Sequence, residues 1–90
     1  MNPVIQTEIK RLEAAARAWK RVGKTYKGAD AKKMQEAHDE DAADLLAVHD
    51  SAKAEDWKHA WTLAGHLDTI VRDQIPTRLY YFLMQKAGAP

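Results

Sequence analysis

A basic turn, GKTYKG, contains the residue types that most directly suggest ligand chemistry. Ammonium groups, a hydroxyl and backbone amides beside glycine can all bind phosphate. A complete nucleotide-binding loop also needs a preceding strand and a glycine at position 18, where this chain has alanine within a predicted helix. A simple phosphate contact therefore remains as one hypothesis, and an ordinary basic turn after a helix is the simpler interpretation. The candidate phosphate ligands are Lys20, Lys24, Thr25 and Lys27, with Tyr26 placed to stack on a base.

The basic residues of the first third could also bind nucleic acid. Lys10, Arg17, Arg21 and Lys24 recur at spacings of seven, four and three, which places them on one face of a helix. Such a face would follow a phosphate backbone without reading the bases. No recognition helix pattern follows, and the middle of the chain is acidic. Pairing of the basic face with the acidic one, within a chain or between copies, is the simpler interpretation.

The segment EAHDEDAAD is the most unusual local composition in the chain. Glu36, Glu40 and Asp44 stand four residues apart, so they share one helix face and repel one another. This face is either solvated or a docking surface for a basic partner, and the sequence favours neither. His38 and Asp41 lie on another line of the same helix, in register with apolar positions. They predict a polar patch inside or beside the core, or a local His–Asp hydrogen bond.

Catalytic and metal sites find little support in the sequence. Four histidines are present, but neither Glu-x-x-His pairs on facing helices nor a His-Glu-x-x-His motif occurs. Asp56 with His59, and His38 with Asp41, each supply two ligand types without a third at diagnostic spacing. Ser51 is the only serine, and cysteine is absent. We therefore predict a protein without catalytic residues, metal or cofactor, and so not an enzyme.

Near the C-terminus, the segment LYYFLM is apolar on every side of a predicted helix. A terminal helix cannot bury its whole circumference against so small a body, so we expect the excess to cover a second subunit or a partner. Tyr80, Tyr81 and Phe82 are the candidate anchors. In the alternative interpretation a tyrosine exposes its hydroxyl while Leu79, Phe82 and Leu83 pack inward.

The elements that position these residues are predicted to be helices alone. Asn2 and a following proline begin helix one, and Gly23 ends it as the residue just past the helix. Asp30 caps helix two, which extends from residue 31 to about 52. No segment alternates apolar and polar residues for long enough to predict a strand.

Asp56 caps a predicted helix three with an apolar stripe as far as Val71. Gly65 lies inside this helix, where it could let another backbone approach closely. Pro76 then breaks the chain before a short final helix over residues 77–86. We predict an all-α bundle built on a long antiparallel hairpin of helices two and three, with helix one packed along it.

Length and charge set the remaining limits. The chain has 90 residues and a net charge of +1, which predicts one helical domain over residues 1–90. Residues 1–33 hold nine basic and three acidic side chains, whereas residues 34–73 hold three basic and ten acidic ones. No apolar run is long enough to span a bilayer, so we predict no membrane interaction and a cytoplasmic location.

No motif specific to a known protein family is present. We predict a small helical interaction protein of the adaptor or inhibitor type, which docks on another protein and forms a homo-oligomer. Proteins of this size are often encoded by phages and other mobile elements, so such an origin is part of the hypothesis. The second hypothesis is a binder of nucleic acid or of a small nucleotide, through the basic helix and the GKTYKG turn.

Overall fold

Five α-helices form the computed structural model of the chain, which describes residues 1–88. No strand occurs among these residues, so the predicted all-α bundle is confirmed. The last two residues of the predicted domain lie outside the described residues. The helices are α1 (Pro3–Gly23), α2 (Ala31–Lys53), α3 (Trp57–Gly65), α4 (Thr69–Arg72) and α5 (Thr77–Lys86).

Helix α1 begins where its capping residues predict. The side chain of Asn2 accepts a hydrogen bond of 2.8 Å from the amide of Val4, and proline occupies the first turn. Lys20 and Arg21 lie in the last turn, next to the negative end of the helix dipole. One face of α1 is apolar and packs into the core. Its buried apolar residues are Ile5, Ile9, Leu12 and Ala16.

Helices α1 and α2 are the longest antiparallel pair in the bundle. Trp19 on α1 lies beside Asp41 on α2, while Glu13 lies beside His49. Helix α2 buries Leu45 and two alanines, Ala42 and Ala52, and small side chains let helices pack closely. The long hairpin is therefore formed by helices one and two, and the nine-residue α3 is too short to form it with α2 as predicted.

The predicted helix three is wrong beyond Gly65, where α3 ends. The side chain of Arg72 reaches back to the end of α3 and donates to the carbonyl groups of Ala64 at 3.2 Å and Leu67 at 2.8 Å. The Ala64 carbonyl also accepts from the amide of Leu67 at 3.2 Å, so Arg72 adds a second bond there and ties α4 to the end of α3. The predicted close approach of another backbone to Gly65 is also absent, since a methyl group at this position would meet nothing within 4 Å.

After this break, α4 adds one turn of helix and α5 returns along the bundle. Pro76 precedes α5, as predicted, and Ile75 before it is buried. Helix α3 packs against α2 and α5, while α5 also packs against α1. The core lies between these four helices, and Leu12, Leu45, Leu79 and Leu83 are fully buried in it. Within residues 1–88, no helix has the length and apolar character needed to cross a bilayer.

Candidate functional site

A stacked pair of rings, Trp19 on α1 and His38 on α2, forms the floor of a surface groove. Their ring centroids are 4.6 Å apart and their planes differ by 24°. The Nδ1–H of His38 donates to the backbone carbonyl of Trp19 at 3.0 Å, since a carbonyl can only accept. The indole Nε1–H of Trp19 donates to Asp41 at 3.3 Å. This polar patch lies beside the core, as predicted, but His38 pairs with Trp19 and not with Asp41.

Gly23 makes this arrangement possible. A Cβ atom at this position would lie 2.5 Å from the Cβ of His38, closer than side chains tolerate. Its φ angle is not positive, so Gly23 is not the left-handed residue past the helix end that the sequence predicts. It is the last residue of α1 and is needed because α2 passes so close to it.

Apolar side chains from three helices and one turn form the walls of the groove, whose volume is about 600 Å³. Val22 at the end of α1 is 44% exposed and Tyr26 in the following turn is 39% exposed. Ile70 on α4 is 68% exposed, the largest exposure of any aliphatic side chain in the described residues. Met34 and Ala37 of α2 also contribute to the apolar part of the lining. Large apolar side chains that converge on one groove are typical of a binding surface.

The charged side chains that line the groove are both acidic. Asp41 lies on α2 and Asp68 lies at the start of α4. Glu40 and Asp44 are each three residues from a lining residue, which places them on the adjacent row of α2. Lys33, four residues before Ala37, also lies on a neighbouring row, so the acidic character of the groove rests on Asp41 and Asp68.

The predicted acidic residues Glu36, Glu40 and Asp44 are all exposed on α2. None of the three lines the groove, although Glu40 and Asp44 are each three residues from a residue that does.

The predicted aromatic anchors lie elsewhere, on α5. Phe82 packs edge-on against Trp57 at a centroid distance of 4.9 Å, and Tyr80 contacts Trp61 at 5.1 Å. Both are half-buried, whereas Tyr81 is 60% exposed. Contacts within the chain therefore bury most of the apolar surface of α5 for which the sequence predicted an interface. Helix α5 packs mainly against α1 and α3, and its tyrosines do not line the groove.

The residues of the predicted phosphate site are exposed at the end of α1 and in the following turn. The backbone amides of Lys24, Thr25 and Tyr26 donate to the carbonyls of residues 21, 22 and 23. The Thr25 hydroxyl donates to the Val22 carbonyl at 2.7 Å. These donors are occupied by the helix end, so the amides of Lys24, Thr25 and Tyr26 and the Thr25 hydroxyl are not free for a phosphate. Lys20 and Lys27 are left as isolated exposed cations.

Sequence reasoning missed the groove because it placed Ile70 on the inner stripe of a continuous helix three. Asp68 and Thr69 soon after Gly65 were the signal for a new helix, since an acidic residue before threonine suits a helix start. Once α4 is separate from α3, Ile70 faces out of the bundle while Val71 is buried.

No group of three or more histidine and carboxylate side chains within residues 1–88 is placed to hold a metal ion. In comparisons with known proteins, no family model, no curated protein and no solved structure matches this chain.

Proposed function

We propose that this protein is a small docking protein whose groove receives an amphipathic helix of a partner protein. The observation that supports the proposal most strongly is the convergence of Ile70, Val22 and Tyr26 on one groove, although they come from three different elements. Each side chain leaves a large part of its apolar surface in water, and a partner would remove that surface from water. Recognition of this kind lays the apolar face of a helix into a groove.

The charges of the groove indicate the chemistry of the partner. Asp41 and Asp68 line it, and no lysine or arginine does so within the described residues. A partner helix with Lys or Arg beside its apolar residues would complement these carboxylates, whereas an acidic helix would be repelled. Glu40 and Asp44 would attract the same partner before contact and so raise the association rate.

The rigid floor favours this kind of binding. Stacking and two hydrogen bonds hold Trp19 and His38 in place before a ligand arrives. A preformed floor lowers the conformational entropy that binding must overcome. The adaptor or inhibitor role expected from the sequence is compatible with such a groove, and a phage origin and a cytoplasmic location remain predictions.

Self-association through α5 is a second, separate proposal. It rests on Tyr81, whose ring is 60% exposed and lies edge-on to Tyr80 at 5.8 Å. Tyr81 does not line the groove, but Thr69 lies both in the groove and in the depression that Tyr80 and Tyr81 line, so the two proposed surfaces are neighbours. Native mass spectrometry of wild type and Tyr81→Ala tests the self-association. Loss of a dimer in the variant supports it, and a monomeric wild type contradicts it.

A displayed library of helical peptides tests the groove. The library is selected on the full chain and then screened against the Ile70→Asp variant, which changes an exposed side chain and should keep the fold. We expect enriched peptides with apolar residues at i, i+3 and i+4 flanked by Lys or Arg, which fail to bind the variant. Enriched acidic peptides, peptides that bind the variant equally well, or no enrichment would contradict the proposal.

A further inference from the structure

The groove beside Trp19 holds two carboxylates that keep unused hydrogen-bond acceptors within residues 1–88. Asp41 accepts the indole Nε1–H of Trp19 through Oδ2 at 3.3 Å, which leaves its Oδ1 available. Asp68 precedes α4, and its side chain makes no capping hydrogen bond. Neither aspartate forms an ion pair in the described part of the chain. Both carboxylates can therefore accept hydrogen bonds from a cation that enters the groove.

Aromatic and aliphatic side chains surround these carboxylates. Tyr26 is 39% exposed, and its ring lies 5.3 Å from the ring of His38, centroid to centroid. Trp19 is half-buried and also lines the groove, and the faces of such rings attract cations. Val22 and Ile70 add apolar surface to the wall. A cation that binds here must therefore give up part of its hydration.

These surroundings discriminate among three kinds of cation. A quaternary ammonium is attracted by aromatic rings but has no N–H to donate to a carboxylate. A lysine ammonium has three donors but is compact and strongly hydrated, so an apolar wall disfavours it. A guanidinium is planar, more weakly hydrated and carries five donors, so it can lie against a ring and donate to more than one carboxylate. The groove therefore suits a guanidinium best.

We propose that the groove selects arginine over lysine in its partner, through a guanidinium that donates to Asp41 and Asp68 and lies against the ring of Tyr26. The methylene groups of the arginine side chain lie along Ile70, as long charged side chains do on apolar surface. The arginine belongs to the partner helix, so this assignment rests on the proposed docking function.

Butylguanidinium tests the site without a partner protein. Butylammonium and butyltrimethylammonium are the matched probes, because they carry the same chain on a different head group. Nuclear magnetic resonance of the full-length ¹⁵N-labelled protein follows the indole Nε1–H of Trp19, which is bonded to Asp41. The titrations are run in physiological salt at about pH 8, where histidine side chains are ordinarily neutral, so that a charged His38 does not oppose the cation. We expect a saturable shift with butylguanidinium and at least about threefold weaker binding of the other two cations.

Two variants test the role of the carboxylates. Asp41→Asn removes the charge but keeps an oxygen that can accept from Trp19, and Asp68→Asn removes the charge of an exposed side chain. Each should weaken butylguanidinium about three- to tenfold. Asp39→Asn is the matched control, because Asp39 is exposed on α2 and does not line the groove.

Equal binding of the three cations, equal effects of Asp39→Asn and Asp41→Asn, or no saturable shift would overturn the proposal. Helical peptides that lose affinity for Ile70→Asp but bind equally well with arginine or lysine would overturn the arginine preference and leave docking standing. A saturable butylguanidinium shift without any enriched peptide would instead contradict docking and retain the cation site.

Discussion

At the scale of single residues, Gly23 and Gly65 differ in whether their surroundings leave room for a side chain. Gly23 lies against His38, where a side chain has no room, and this contact lets Trp19 and His38 stack. Gly65 ends α3 in open space and has no contact that excludes a methyl group. The sequence suggested a close approach at Gly65, whereas the structure places it at Gly23. Local sequence could not separate them, because the difference depends on which helix passes nearby.

A matched pair of substitutions follows from this difference. Gly23→Ala should lower the free energy of unfolding by about 1–3 kcal/mol, since the new methyl group overlaps His38 and forces the helices apart. Gly65→Ala should leave stability unchanged or raise it by up to about 1 kcal/mol, because alanine is the better helix former. Urea denaturation followed by circular dichroism measures both. Equal effects of the two substitutions would show that the contact at Gly23 is not tight.

At the scale of helices, local signals predicted most starts and ends. Asn2, Pro76 and Asp56 mark helix starts that the structure contains, since caps and prolines act through neighbours in the chain. The break after Gly65 was missed because the apolar period continues across it. In the structure the side chain of Arg72 bonds across that break to Ala64 and Leu67, and these hydrogen bonds arise only in the folded chain.

The two aspartates predicted as caps should differ in their contribution to stability. Asp56 accepts a hydrogen bond of 3.3 Å from the amide of His59, so Asp56→Ala should destabilise the protein by about 0.5–2 kcal/mol. Asp30 occupies the equivalent position before α2 but its side chain makes no capping hydrogen bond. Asp30→Ala should therefore cost only a few tenths of a kcal/mol. Thermal unfolding of both variants checks the ranking, and a larger loss for Asp30→Ala would contradict it.

Arg72 should matter more than any exposed arginine of the bundle. Arg72→Met keeps much of the side-chain length but removes the donors that bond the carbonyls of Ala64 and Leu67, so we expect a loss of about 1–3 kcal/mol. Arg78→Met is the control, because Arg78 is exposed at the start of α5. Equilibrium urea unfolding compares the two variants. Similar stabilities would mean that water satisfies these carbonyls equally well.

At the scale of the whole molecule, the basic and acidic stretches lie on two helices that pack together. Helix α1 and the turn after it carry half of the lysines and arginines, and α2 carries the acidic run. The sequence predicted the exposed face of Glu36, Glu40 and Asp44. It could not predict the groove, because Val22, Tyr26 and Ile70 are separated in the chain and meet only through the packing of α4 on α2.

The central proposal is that a basic amphipathic helix docks in this groove, and the affinity of a selected peptide tests it most directly. The titration compares wild type with Ile70→Asp in the groove and Tyr81→Asp on α5, two exposed positions. We expect Ile70→Asp to weaken binding at least about tenfold, since it removes an aliphatic side chain that the bound peptide would bury. Tyr81→Asp should leave the affinity unchanged. The reverse pattern would contradict the proposal and assign docking to α5.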